Sequence, residues 1–252
     1  LVELPIGATE DRVVGSIDPA YLQKFLAKTF DPKALQTQAK EVPALALTRA
    51  LEMAGLGGSQ LLTAYQIHSP DVAVVEQAWA DDARPRVDAL VTKTKGLALG
   101  VLSADCVPVL FADSQAGIIG AAHAGWRGAL TGVLQATVWA MVDQGARASQ
   151  IRAAGGPCIG AASYEVGVEF PAPFLAQDSA NAGFFRPAAR PDHHMFDIEG
   201  YVVARLKTLN LAGVEAAHRD TCGERETFFS YRRSVLRGEP DYGRHVSVIG
   251  LV

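Results

Sequence analysis

Cysteine is scarce in this 252-residue chain, and the three present are an odd number. That argues against a disulfide framework and for a reducing compartment in which thiols stay free, with the cytoplasm as the default expectation. Long apolar runs are also missing. Nothing approaches the ~20 residues of a membrane span, and residues 1–7 show neither a basic stretch followed by an apolar one nor a small-residue cleavage site. An excess of positive charge is lacking too: 23 Lys and Arg stand against 27 Asp and Glu, for a net charge of −4. Phosphate-backbone affinity rests on clustered Lys and Arg, so neither nucleic acid nor an anionic membrane is an expected partner. One local cluster, Arg232, Arg233, Arg237 and Arg244, reads as a solvated or ion-paired surface unless it faces a site. Low-complexity runs, internal repeats and linkers are absent. The 24 Gly and 13 Pro are scattered, and 49% hydrophobic with 20% charged residues is ordinary globular usage, so a single domain over residues 1–252 is expected.

What is present alternates. Asp18-Pro19 has the cap and first-turn proline of a helix over 20–29, and 45–54 has helical spacing up to Gly55. From there the pattern turns to short apolar strands at 61–67, 72–75, 97–102, 107–111 and 117–122. A helix over about 129–142 stopped by Gly145, a strand at 151–154, a helix capped by Asp197 over 199–209, a short strand at 214–217 and a closing strand at 245–252 complete the chain. The class is mixed α/β (α+β), with parallel and antiparallel connections both compatible with the spacing.

Three residues with metal affinity follow expected strands: His68, Cys106 and His123. Catalytic zinc takes three protein ligands from His, Cys and carboxylate and leaves a position for water or substrate, and ligands at strand ends can converge on one sheet edge. Each alone reads equally as a satisfied core residue, and spacing this long is no zinc fingerprint, so the pattern leaves both readings open. Asp105 suits the orientation of an imidazole or the acceptance of a proton beside a metal, and equally a turn. Ala124-Gly125-Trp126-Arg127-Gly128 leads into a helix, whose free N–H groups and dipole, with Arg127, suit an anion such as phosphate. Against this stand an ion pair for Arg127 and core packing for Trp126. Cys158 and Cys222 read as small buried thiols, and His193-His194 as a surface loop.

The segments Gln66-Ile67-His68-Ser69, Asp88-Ala89-Leu90-Val91-Thr92, Ala104-Asp105-Cys106-Val107-Pro108-Val109-Leu110 and His123-Ala124-Gly125-Trp126-Arg127-Gly128 follow one another in a distinctive order. Gly156-Pro157-Cys158-Ile159-Gly160, Tyr164-Glu165-Val166-Gly167, Phe229-Ser230-Tyr231-Arg232-Arg233 and Gly243-Arg244 continue it. Together they resemble the laccase-domain family labelled multicopper polyphenol oxidase, whose better-supported activity is as purine nucleoside phosphorylases. The resemblance implies zinc on His68, Cys106 and His123 and a four-layer α/β/β/α arrangement of mixed sheets. It also implies phosphorolysis of adenosine, inosine and methylthioadenosine to base and ribose 1-phosphate, with adenosine deamination as a companion, so that purine nucleosides and phosphate are the expected partners. Asp105 and Arg127 are the candidate catalytic residues. Copper can replace zinc on such ligands, but a copper oxidase ranks lower, because His193, His194, His218 and His245 are too few and too scattered for a multicopper centre. A third reading makes Cys106 a nucleophile paired with His123, with no metal. Residues 1–55 match poorly, lacking the family's aromatic His-Gly-Phe-Phe-Thr-Arg stretch.

Overall fold

Apolar stretches separated by glycine and polar turns build most of the molecule into strands. The computed structural model describes residues 2–6, 14–15, 51–52, 54–80 and 83–251. Strands in chain order are β1 (Val2–Ile6), β2 (Val14–Gly15), β3 (Gln60–Thr63), β4 (Val72–Val74), β5 (Ala89–Thr92), β6 (Leu97–Ser103), β7 (Val107–Asp113) and β8 (Ile118–Ala124). They continue as β9 (Arg152–Gly155), β10 (Glu165–Gly167), β11 (Phe185–Pro187), β12 (His193–Phe196), β13 (Gly213–Ala216) and β14 (Arg244–Gly250). Helices are α1 (Trp126–Thr131), α2 (Val133–Asp143), α3 (Ala172–Gln177), α4 (Ile198–Lys207) and α5 (Tyr231–Arg237).

Two large mixed sheets carry the fold. One runs β2-β1-β14-β6-β3 and the other β13-β9-β7-β8-β5-β4, with a small β10-β12-β11 sheet beside them. Pairing is antiparallel at β7–β8, β5–β8, β7–β9 and β14–β6, and parallel at β3–β6, β4–β5 and β13–β9. Side chains alternate across each strand, so a strand covered on both faces must be apolar throughout. β8 is buried along its whole length, with Ile119 and Ala121 on one face and Ile118 and Ala122 on the other. The first face meets the five-stranded sheet, where Leu62, Leu99 and Val101 join Leu90, Leu110 and Ile119. The second face meets α2 and α4 through Val133, Leu134, Val138, Met141, Tyr201 and Leu206. On the far side of the five-stranded sheet Leu51, Ala54 and Leu56 cover Ala98, Val246 and Val248. The mixed α/β class and the packing of sheet on sheet with helices outside agree with the expected arrangement.

Several elements depart from expectation for identifiable reasons. The strand expected at 61–67 stops at Thr63, because the N–H groups of Ile67, His68 and Ser69 go to the Asp88 carboxylate and the Gln66 amide bridges the backbone of Leu102. The helix expected at 129–142 begins at Trp126 and is two helices, divided at Gly132, whose φ of 105° lies in the left-handed region that glycine tolerates. His193 and His194 belong to strand β12, paired with β10 and β11, rather than to a surface loop. The helix expected at 20–29 lies outside the described residues, as does most of that at 45–54, of which Leu51 and Glu52 are helical.

Candidate metal centre

Strand register brings the site together. β7 starts at Val107, one residue after Cys106, and Pro108 pairs with His123 of β8, so that Cys106 and His123 are neighbours. On the other side of β8, Ala89 pairs with Ala122, which sets Asp88 beside His123. The His123 N–H donates to the Asp88 carbonyl at 2.7 Å, and His123 Nδ1 lies 2.9 Å from Asp88 Oδ1. The same carboxylate accepts the N–H groups of Ile67 at 3.0 Å, His68 at 2.9 Å and Ser69 at 2.7 Å. These bonds pin the turn in which His68 adopts a left-handed φ of 62°. His68 Nε2 comes to 3.8 Å from Cys106 Sγ, and its ring crosses that of His123 edge-on at 4.8 Å. Donor atoms of His68, Cys106 and His123 all lie within 4.8 Å of one another, the one such group of His, Cys, Asp and Glu side chains among the described residues.

Charges reinforce the geometry. Burial pushes the Asp88 carboxyl up, but His123 and the three backbone N–H groups outweigh it and hold Asp88 at about 2. Burial likewise raises the Cys106 thiol, yet the His123 charge and hydrogen bonds from both imidazoles bring it to about 6. His123 is lowered by burial and raised more strongly by the Cys106 thiolate and Asp88, to about 9. The thiol is thus primed as a thiolate, the form that binds metal.

The residues fit zinc. Tetrahedral coordination with bonds of about 2.3 Å to sulfur and about 2.0 to 2.1 Å to nitrogen sets S and N about 3.5 to 3.6 Å apart. The Sγ–Nε2 separation of 3.8 Å is close to that span. Asp88 holds Nδ1 of His123 and leaves Nε2 free for a metal, the carboxylate–histidine–metal pattern. Gly125 completes the cradle: a Cβ there would sit 2.7 Å from His68 Cδ2 and 3.0 Å from Cys106 Sγ.

His68 and Cys106 open onto a cavity of about 200 Å³ whose wall also includes Asp105, Trp126, Tyr164, Tyr231 and Arg232. Asp105, in a left-handed conformation with φ of 83°, accepts from the Thr221 hydroxyl at 2.7 Å and from the Arg232 N–H at 2.6 Å. The carboxylate that orients an imidazole is therefore Asp88, not Asp105, whose two oxygens have other partners. Arg127 is exposed, with Cζ 5.3 Å over the Trp126 ring, and does not line the cavity. Trp126 does line it while packing on Phe170, centroids 4.9 Å apart. The basic cluster divides: Arg233 binds the carbonyls of Thr221, Cys222 and Phe228, Arg237 pairs with Glu239, Arg244 contacts Tyr242, and Arg232 alone reaches the cavity wall beside His68 and Cys106. Cys158 is buried as expected, whereas Cys222 is half-buried. Sequence reasoning missed Asp88, Tyr164, Tyr231 and Arg232 as site residues. Asp88 was signalled only by a carboxylate standing directly before an apolar strand.

The sequence profile of the multi-copper polyphenol oxidoreductase laccase family matches residues 35–252. The chain belongs to this laccase family. The match reaches upstream of residue 55, where the motifs begin to fade. A purine nucleoside phosphorylase of Streptomyces coelicolor is 39% identical over 193 residues, 75% of this chain and 76% of its own length. An adenosine deaminase from an unknown prokaryotic organism is 37% identical over 200 residues, 74% of each chain. The crystal structure of a Neisseria meningitidis protein matches with a TM-score of 0.72 at 28% identity, covering 98% of this chain and 96% of that one. This laccase-family chain is accordingly an enzyme related to purine nucleoside phosphorylases. Among its described residues no helix is long and apolar enough to cross a membrane.

Proposed function

We propose that the chain is a zinc-dependent purine nucleoside phosphorylase acting on adenosine, inosine and methylthioadenosine, with adenosine deamination as a second activity. The observation that carries the reading is the His68, Cys106 and His123 group, of which His68 and Cys106 open onto an aromatic-lined cavity. Three protein ligands leave a coordination position open, as a catalytic site requires and a closed structural site does not. A zinc ion held there supplies Lewis-acid polarisation and activation of water near neutral pH. The chain's own groups do the rest. Asp88 fixes the His123 ring and the His68 turn, and Trp126, Tyr164 and Tyr231 offer aromatic faces to a purine. In phosphorolysis a phosphate oxygen bonds to C1′ of the ribose as the bond to the purine nitrogen breaks. The electron pair leaves on the purine, and the proton of hydrogen phosphate ends there.

Metal analysis of the purified chain, followed by chromatography of its products from adenosine, tests the reading. About one zinc per chain is expected, with adenine and ribose 1-phosphate formed when phosphate is present and inosine formed without it. Adenosine left intact by zinc-loaded protein with phosphate sinks it.

The family's label favours copper, which binds such donors more tightly than zinc. Three of the four other imidazoles are engaged elsewhere, which argues against a multicopper relay: His193 bonds the Pro191 carbonyl, His218 pairs with Glu199, and His245 accepts from the Phe229 N–H. A metal-free reading is favoured by a different observation, the line of Cys106, His123 and Asp88 as nucleophile, base and orienting carboxylate. Turnover that survives chelation would select it.

A further inference from the structure

Arg232 and Tyr164 wall the cavity without contributing a metal donor. Arg232 is held at both ends. Its backbone N–H donates to Asp105 Oδ2 at 2.6 Å, its Nη1 donates to the Glu165 carbonyl at 2.7 Å, and its Cζ lies 5.3 Å from the centroid of the Tyr164 ring. Asp105 directly precedes Cys106, so the bond to Arg232 ties the first turn of α5 to the metal-bearing segment across 127 residues of sequence. The charge of Asp105 is taken up by that N–H and by the Thr221 hydroxyl, and no carboxylate among the described residues pairs with the Arg232 guanidinium. Nε and Nη2 of Arg232 and the Tyr164 hydroxyl have no hydrogen-bond partner among the described residues. Burial, the Cys106 thiolate and Asp105 raise the Tyr164 phenol well above its ordinary value despite Arg232, so it stays a neutral donor. A guanidinium fork matches two oxygens of one oxyanion, and a phenol beside it can serve a third.

We propose that Arg232 and Tyr164 form the subsite for phosphate beside the metal ligands, in place of Arg127 and the helix start after Gly125. The inference rests on the phosphorylase reading for its biological meaning, since phosphate is the second reactant there, but the binding chemistry stands apart from turnover. Arg127 cannot substitute from its position outside the cavity. The same chemistry would accept either free phosphate or the phosphate of a nucleotide, and titration with each separates the two.

Calorimetric titration of the zinc-loaded full chain with inorganic phosphate, and separately with adenosine 5′-monophosphate, tests the assignment. Arg232→Gln should weaken inorganic phosphate about tenfold or more and Tyr164→Phe severalfold, while Arg127→Gln binds as the wild type. Arg232→Lys should recover part of the loss, because it restores the charge without the fork. Zinc content equal to wild type in each variant reports an intact site, and the KM for phosphate should rise in Arg232→Gln more than kcat falls. Wild-type phosphate affinity in Arg232→Gln, or the loss appearing in Arg127→Gln instead, overturns the proposal. Loss of nucleotide binding with no phosphate binding in the wild type overturns the assignment to free phosphate. Phosphate binding that depends on Arg232 without nucleoside turnover would sink the phosphorylase reading and leave the subsite standing, whereas turnover with Arg232-independent phosphate does the reverse.

Discussion

Asp88→Asn should separate the folded frame from the metal site, because one buried carboxylate serves both. Oδ1 accepts from the His68 N–H and faces His123 Nδ1, and Oδ2 accepts from the N–H groups of Ile67 and Ser69. Asparagine keeps one oxygen and turns the other into a donor that confronts two N–H groups. Whichever way the amide is rotated, two bonds to a charged acceptor are lost, at about 1.5 to 3 kcal/mol each. Relaxation of the turn recovers part, so a net loss of about 3 kcal/mol is expected against a total stability of about 5 to 15 kcal/mol. The protein should therefore still fold. Its metal should suffer more than that figure alone suggests, since removing the group that orients a ligating histidine weakens metal binding by about 10 to 100-fold. Urea unfolding of metal-free wild type and variant measures the first quantity, and competition with a chromogenic chelator for zinc measures the second. Wild-type urea midpoint together with wild-type zinc affinity would refute the argument that Asp88 organises the site.

Gly125→Ala should lower zinc affinity about tenfold with little change in fold, because its Cβ would stand 2.7 Å from His68 Cδ2 and displace that ring; equal zinc uptake by chelator competition contradicts this. Metal-free protein should alkylate at Cys106 with a half-maximal rate near pH 6, and zinc should suppress the reaction; peptide mass spectrometry showing a half-maximum near 9 would remove the His123 charge from the argument. His245, lowered from 6.5 to about 4 chiefly by burial and further by Arg233, is neutral in the fold and accepts from the Phe229 N–H. Its contribution of about 3 kcal/mol is complete above pH 6.5 and disappears as the pH falls through 4, so urea midpoints should drop over that window in the wild type and less in His245→Gln; parallel curves count against it.

The strands that carry the ligands were legible because they are runs of apolar residues bounded by polar turns. β6, β7, β8, β9 and β14 all fall within a residue or two of expectation. β12 was not legible: His193 and His194 look like surface polarity, and only the pairing with β10 and β11 makes a strand of them. The short α3 and α5 offer too few residues for a period to emerge. Gly132 hides its break because the helix resumes at once with apolar spacing on the far side. At the site, residue type marked His68, Cys106 and His123 as candidates and the family resemblance implied their grouping, while their partners could not be read. Asp88 acts on a turn some twenty residues upstream and Arg232 on a carboxylate 127 residues away, and neither contact leaves a local mark in the sequence.

Cys106, His123 and Asp88 serve a metal-free nucleophile as well as a metal site, so they do not decide between the two. His68 does. A nucleophile needs a base and a group to orient the base, and His123 with Asp88 supplies both. A second imidazole with Nε2 at 3.8 Å from the same sulfur adds nothing to that chemistry. Yet the fold holds His68 firmly, in a left-handed conformation, within a turn whose three successive N–H groups converge on Asp88. Conformations of that kind persist only where the surroundings over-determine them. Gly125, packed against both His68 and Cys106, removes the side chain that would part them. A thiolate with two imidazoles directed at one point favours the proposed metal site, in which the lowered ionisation of Cys106 prepares a donor rather than an attacking sulfur.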